Sequence, residues 1–139
     1  IVAWGKRDPA LRVIDTDLEK SCNLTEFATT LPHQFIELGV AEQNMVSIAG
    51  GLALGGLVPI CNTYANFYRR AAEQIYVNAT EKTRVVYAGH YAGLCYATDG
   101  KTHQATGDVA LFRSIPAVSR ALPGPLPPSC QTCVDRSSR

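Results

Sequence analysis

Apolar and polar positions along the chain fall into two alternating periods. Residues 12–15 (RVID) form a short apolar run that predicts a strand ending in Asp15-Thr16-Asp17. A polar loop follows, and Thr25 is placed to cap a short helix over 26–30 that Pro32 closes. Residues 34–38 (QFIEL) read as a second strand, and Gly39 allows a tight exit. Residues 41–54 then hold good helix formers, with Met45, Ile48, Ala49 and Leu52 at three- and four-residue spacing, up to the stop at Gly55-Gly56. A strand over 57–62 (LVPICN) and a helix over 66–78 come next, with Ala71, Ala72, Ile75 and Tyr76 expected on the core side. Residues 83–88 (TRVVYA) give the clearest strand, 89–107 is a loop rich in glycine, histidine and hydroxyls, and 108–113 restarts a helix. Strands that alternate with helices and lack period-two patterning predict an α/β fold of three layers: a mostly parallel sheet with helices on both faces.

The pattern ends at residue 116. Residues 117–139 carry four of the eight prolines and no strand or helix periodicity, so they are expected to be a Pro-rich tail that is either disordered or loosely attached, or else non-native through a frame shift or truncation. Residues 1–116 are expected to form the one folded domain. The composition, 46% hydrophobic and 18% charged, suits a core-forming domain. A net charge of +1 gives no electrostatic case for nucleic acid or an anionic membrane. The most apolar stretch, 46–61, is interrupted by five glycines or prolines, which argues against a bilayer span. With no signal-peptide pattern and an odd count of five cysteines, the expected compartment is the cytoplasm. Cys130-x-x-Cys133 has the spacing of half a zinc site, but four ligands are required and no second pair is near.

The chemistry begins at Glu42. It falls in the first turn of a helix that starts just after a strand, where open α/β sheets place their ligand sites. On position alone this is an acid favoured by the helix dipole and solvated. In a dry pocket the same carboxyl would hold or share a proton. Gly50-Gly51 and Gly55-Gly56 do not form a phosphate loop, because no Gly-Lys-Ser/Thr follows.

Three ordered blocks, FIELGVAEQNMVSIAGGLAL, NTYANFYRRAAEQI and AGHYAGLCYATDGKTHQATGDVALFRSIP, resemble the pyrimidine-binding domain of the transketolase family. The likeness spans about residues 13–116 and is greatest to the second subunits of two-chain transketolases, with deoxyxylulose-phosphate synthases further off. It implies a thiamine diphosphate-binding fold. Glu42 matches the glutamate that bonds the cofactor's aminopyrimidine ring and helps form the carbon nucleophile. Tyr64 and Phe67 match aromatic positions around that ring, and Arg70 and Asp17 match further cofactor-facing positions, with Ser21 and Cys22 in the same loop as Asp17. Asp99 and His103 match substrate-side residues, His103 as the second catalytic group. Tyr91 stands where the family has a substrate-binding histidine, with His90 one place earlier.

The diphosphate-and-metal motif of the family is not found in this sequence. The resemblance therefore implies that this chain takes only the pyrimidine end of thiamine diphosphate, with Mg²⁺ on a partner domain or subunit. It also implies a homo- or heterodimer and a two-carbon ketol transfer between sugar phosphates. Two alternatives stand beside that reading: an inactive, truncated transketolase-like fragment, or a subunit of another thiamine diphosphate enzyme such as a synthase or a 2-oxoacid dehydrogenase.

Overall fold

The computed structural model describes residues 1–116 (Ala97 by its backbone), Val118, and the backbone of 131–134. A helix α1 (Val2–Arg7) leads into β1 (Leu11–Asp15). Helix α2 (Thr25–Thr30) and a 3₁₀ turn (Pro32–Gln34) precede β2 (Phe35–Glu37). Helix α3 (Glu42–Leu54) connects to β3 (Val58–Tyr64), which runs straight into a 3₁₀ segment (Ala65–Ala71) and helix α4 (Ala72–Thr80). Strand β4 (Val86–His90), a 3₁₀ segment (Ala97–Thr102) and α5 (Asp108–Arg113) follow, and β5 (Gln131–Val134) comes last.

The sheet order is β2-β1-β3-β4-β5. The first four strands are parallel, and β5 pairs antiparallel with β4, from Tyr87 opposite Val134 to His90 opposite Gln131. Alternate strand residues serve two cores. Ile14 and Cys61 pack with Met45, Val46, Ala49, Tyr68, Ile75 and Phe112 under α3, α4 and α5. Val13 and Ile60 pack with Leu24, Phe27 and Tyr64 under α2 on the other face. The expected three-layer α/β architecture with a mostly parallel sheet is what the chain forms.

Several local expectations are corrected. Strand β3 continues to Tyr64 rather than ending at residue 62, because Asn62, Thr63 and Tyr64 are all buried and pair with β4. The helix expected over 66–78 divides at residue 72 into the 3₁₀ segment and α4. That change of pitch rotates the following residues, so Tyr76 is 50% exposed while Ile75 is buried. Strand β4 starts three residues late, since Thr83 caps α4 with its Oγ1 on the Asn78 carbonyl at 2.8 Å. Helix α3 ends as read: Gly56 turns left-handed at φ +86°, and the Leu57 N–H reaches the Leu52 carbonyl at 3.0 Å.

Helix α1 was not expected. Its Gly5 lies so close to α2 and Gln34 that a Cβ would come within 2.6 Å of Leu31 Cδ1. The tail expectation and Cys130-x-x-Cys133 lie outside the described residues, apart from Val118 and the β5 backbone. Among the described residues, no helix is long and apolar enough to cross a membrane.

Candidate functional site

Parallel strands deliver their following loops to one edge of the sheet, and every candidate residue lies at that edge. Asp17 follows β1, Glu42 follows β2, Tyr64 ends β3, and Tyr91 follows β4. Phe67 and Arg70 sit on the 3₁₀ segment after β3, while Asp99 and His103 belong to the turn after β4.

Glu42 is the first residue of α3 and only 3% exposed. Its Oε1 accepts a charge-assisted hydrogen bond from Arg70 Nη1 at 2.6 Å. The Arg70 side chain is 52% exposed, and its guanidinium carbon lies 4.6 Å from the centre of the Phe67 ring. Arg70 thus bridges a buried acid and an aromatic face. Together with residues 40–44 it lines an open hollow of about 420 Å³.

Phe67 belongs to a continuous aromatic group. It stacks on Tyr64 at 5.3 Å between ring centres, and Tyr64 meets Tyr91 edge-on at 4.9 Å. His103 lies edge-on to both Phe67 (5.2 Å) and Tyr64 (5.8 Å). Tyr96, which the sequence did not single out, closes the group 4.5 Å from Tyr91 and 5.2 Å from Tyr64. Burial, ahead of a counteracting bond from Ser21, pushes the Tyr64 hydroxyl up to about 12, so it is neutral at physiological pH. The Tyr91 hydroxyl is also raised, by burial first, and donates to the Ser21 carbonyl at 3.2 Å. Tyr91 itself holds a left-handed φ of +52°.

The Asp99–His103 pair closes one turn of the last loop, with Oδ2 and Nε2 3.7 Å apart. Thr102 Oγ1 lies 2.9 Å from His103 Nδ1, and Asn66 ties the loop to the 3₁₀ segment through the Thr102 carbonyl at 2.7 Å. His90, the other histidine near the edge, is buried beside Asn62 (3.4 Å), and that burial lowers it to about 4.

The structure therefore brings Glu42, Phe67 and Arg70 into one contact set, and Tyr64, Phe67, Tyr91, Asp99 and His103 into another that shares Phe67. Asp17 is separate. Its side chain is exposed, and what holds it is its backbone N–H, bonded to Glu37 Oε1 at 2.9 Å.

Sequence reasoning missed a pair of carboxyl groups. Asp15 and Glu37 end β1 and β2 and face each other in the strand register. Asp15 is fully buried. The only clue in the sequence is an acid closing each of two apolar strands, and strand register is needed to bring the two together.

The sequence matches the family described as "Transketolase, pyrimidine binding domain" over residues 1–125. It is 36% identical over 118 residues to a putative transketolase C-terminal section of Methanocaldococcus jannaschii, covering 84% of this chain and 37% of that protein. It is 37% identical over 113 residues to the transketolase of Homo sapiens, covering 81% of this chain and 18% of that protein. Among solved structures, a split-gene transketolase described as an inactive beta4 tetramer superposes with a TM-score of 0.71 at 35% identity, over 87% of this chain and 38% of that one. Transketolase from Leishmania mexicana gives 0.76 at 27% identity, over 87% and 19%. This chain thus spans less than two-fifths of the length of each of these relatives.

Proposed function

The chain belongs to the transketolase family, through its pyrimidine-binding domain, and from that premise we propose that it forms the pyrimidine side of a thiamine diphosphate site completed by a diphosphate-binding chain or domain. The observation that carries this reading is the Glu42–Arg70–Phe67 set. A buried carboxyl, an adjoining aromatic face and an open hollow are the chemistry that a flat, hydrogen-bonding heteroaromatic ring requires. Arg70 occupies that seat with a flat cation of similar character, and its half-exposed side chain is free to turn outward.

When bound, thiamine diphosphate would supply the carbanion that carries a two-carbon ketol unit between sugar phosphates. Glu42 would hold a shared proton against a ring nitrogen, in a place that excludes water. Phe67 and Tyr64 would support the ring face, and Arg70 would leave Glu42 to line the rim. Asp99 and His103 would meet the sugar hydroxyls, with His103 oriented through Thr102. Asp17 would approach the cofactor from the β1 loop. Mg²⁺ is assigned to the partner. Among the described residues, no three His, Cys, Asp or Glu side chains are grouped to hold a metal.

One observation favours the second reading, a transketolase-like chain without activity. Tyr91 takes the place of a substrate-side histidine, and its hydroxyl is already committed to Ser21.

Calorimetry with thiamine diphosphate and Mg²⁺, on the chain alone and with a diphosphate-binding subunit from the same source, tests the proposal. Binding that appears only with the partner and is lost in Glu42→Ala is expected. Absence of binding in both cases would favour the inactive reading, and tight binding by the chain alone would overturn the two-component site.

A further inference from the structure

Two loops leave the sheet edge toward the site, one after β1 carrying Asp17 and one after β2 leading into Glu42. Each has a left-handed residue two places past its strand, Asp17 at φ +62° and Gly39 at φ +67°. The backbone N–H groups of these two residues bond the same atom, Glu37 Oε1, at 2.9 and 2.7 Å. One carboxyl oxygen therefore clamps both loop starts, and for Asp17 it fixes a backbone conformation that a non-glycine residue adopts at a cost.

Asp15 lies beside that clamp in the adjacent strand, opposite Glu37 in the register, with 0% exposure. Its Oδ2 accepts the Leu18 N–H at 2.7 Å. Its Oδ1 is buried and meets no donor in hydrogen-bond geometry among the described residues. A carboxylate oxygen sealed from water without a donor is costly, and doubly so next to a second carboxyl group. A proton on Oδ1 removes both costs at once, because it turns an orphaned acceptor into a donor toward Glu37.

We propose that Asp15 is a positioning residue which carries a proton and donates it in a hydrogen bond to Glu37, and that this acid pair sets the two loops that present Asp17 and Glu42. Burial first, against the opposing Leu18 bond and with Glu37 adding to it, raises the Asp15 carboxyl to about 7, so the clasp loosens as pH passes neutrality. The titratable groups that act on Asp15 are Glu37 from β2 and Cys22 from the loop after β1. Cys22 stays neutral, its thiol pushed up to about 12 by burial and then by Asp15. Loss of the proton leaves two acids facing each other across one strand pair, and the exposed partner, Glu37, is the one free to turn away. Its departure would release the Asp17 and Gly39 amides together.

The relevance of these loops to a ligand rests on the function proposed above, but the proton itself is measured on the chain alone. The experiment follows the ¹³C carboxyl signal of Asp15 and the ¹⁵N–¹H signals of Asp17 and Gly39 in the intact chain from pH 5 to 9. A common inflection near pH 7 at all three residues is expected. In Asp15→Asn, whose amide NH₂ replaces the O–H donor, the inflection at Asp17 and Gly39 should vanish and both amides should keep their low-pH positions. An Asp15 carboxyl that stays ionised across the range would overturn the proposal, as would an inflection of the two amides that survives in Asp15→Asn. Should that variant fail to fold, the unsubstituted chain still decides through the Asp15 carboxyl. Cofactor binding enters neither readout, so failure of the clasp and failure of the proposed function are separate results.

Discussion

Two adjacent glycines in α3 predict opposite responses to the same substitution. A Cβ on Gly50 would overlap Asn78 Oδ1 and stand 2.9 Å from its Cγ, well inside contact distance. A Cβ on Gly51 meets nothing within 4 Å. The Asn78 amide cannot simply move aside, because its Nδ2 donates to the Val46 carbonyl at 2.9 Å and to the Tyr87 hydroxyl at 3.1 Å. Gly50→Ala therefore gains about 1 kcal/mol of helix propensity. Against that, it gives up two buried hydrogen bonds, at roughly 1 kcal/mol each, and overpacks a filled site, which costs about 1–3 kcal/mol more. The net expectation is a loss of about 2–4 kcal/mol. Gly51→Ala should gain about 1 kcal/mol, since the helix benefit stands alone. Urea unfolding followed by circular dichroism measures both. A Gly50→Ala chain as stable as the parent, or two variants that shift in the same direction, would refute the packing argument. In Asn78→Ala the obstacle is gone, so adding Gly50→Ala to that background should cost almost nothing further.

The other predictions concern charge. Asp15 is raised from 3.8 to about 7, so the folded chain binds the extra proton between those values and stability falls as pH climbs through them, by on the order of 4 kcal/mol. His90 is lowered from 6.5 to about 4, so stability is complete above 6.5 and declines as pH falls toward 4, by on the order of 3 kcal/mol. The two slopes nearly cancel between pH 4 and 6.5, and urea midpoints of Asp15→Asn across that range should expose the His90 slope; a flat profile would refute the assignment. For Glu42 and Arg70, a double-mutant cycle with Glu42→Gln and Arg70→Met should give a coupling of about 1–2 kcal/mol, below a fully buried pair because half of Arg70 is in water. Coupling near zero would mean that the 2.6 Å contact contributes nothing to stability.

The strands and the helix that bears Glu42 could be read from the sequence because their signals are local. Apolar runs, a first-turn acid and a glycine stop lie within a few residues of one another. Features set by distant partners were not legible. Residues 63 and 64 lie beyond the strand expected over 57–62, yet β4 pairs with them and draws them into the sheet. Helix α1 contains a glycine and no strong periodicity, and it exists because Gly5 lets it approach Leu31 and Phe27 closely. The aromatic site was visible in part: Tyr64, Phe67 and Tyr91 stood out through the family resemblance, whereas Tyr96 joins them through the fold of a loop. The Asp15–Glu37 pair depends on strand register, and the sequence does not state register.

The hydroxyl of Tyr68 lies 2.8 Å from the Cys61 carbonyl and 3.2 Å from that of Ala88, within hydrogen-bond reach of both β3 and β4. Phe67 is next to it in the chain and Arg70 is two residues on. The aromatic wall of the site is thus fastened to the centre of the sheet, and its amides should exchange with solvent only in the opening events that release the core strands. Among the described residues Arg70 is held by Glu42 and the Phe67 face alone, and once that contact opens a half-exposed side chain changes rotamer in nanoseconds. The two sides of the hollow therefore belong to different timescales, a wall as slow as global unfolding and a cover as fast as a surface side chain. A ligand would meet a rigid template from which one residue must step away.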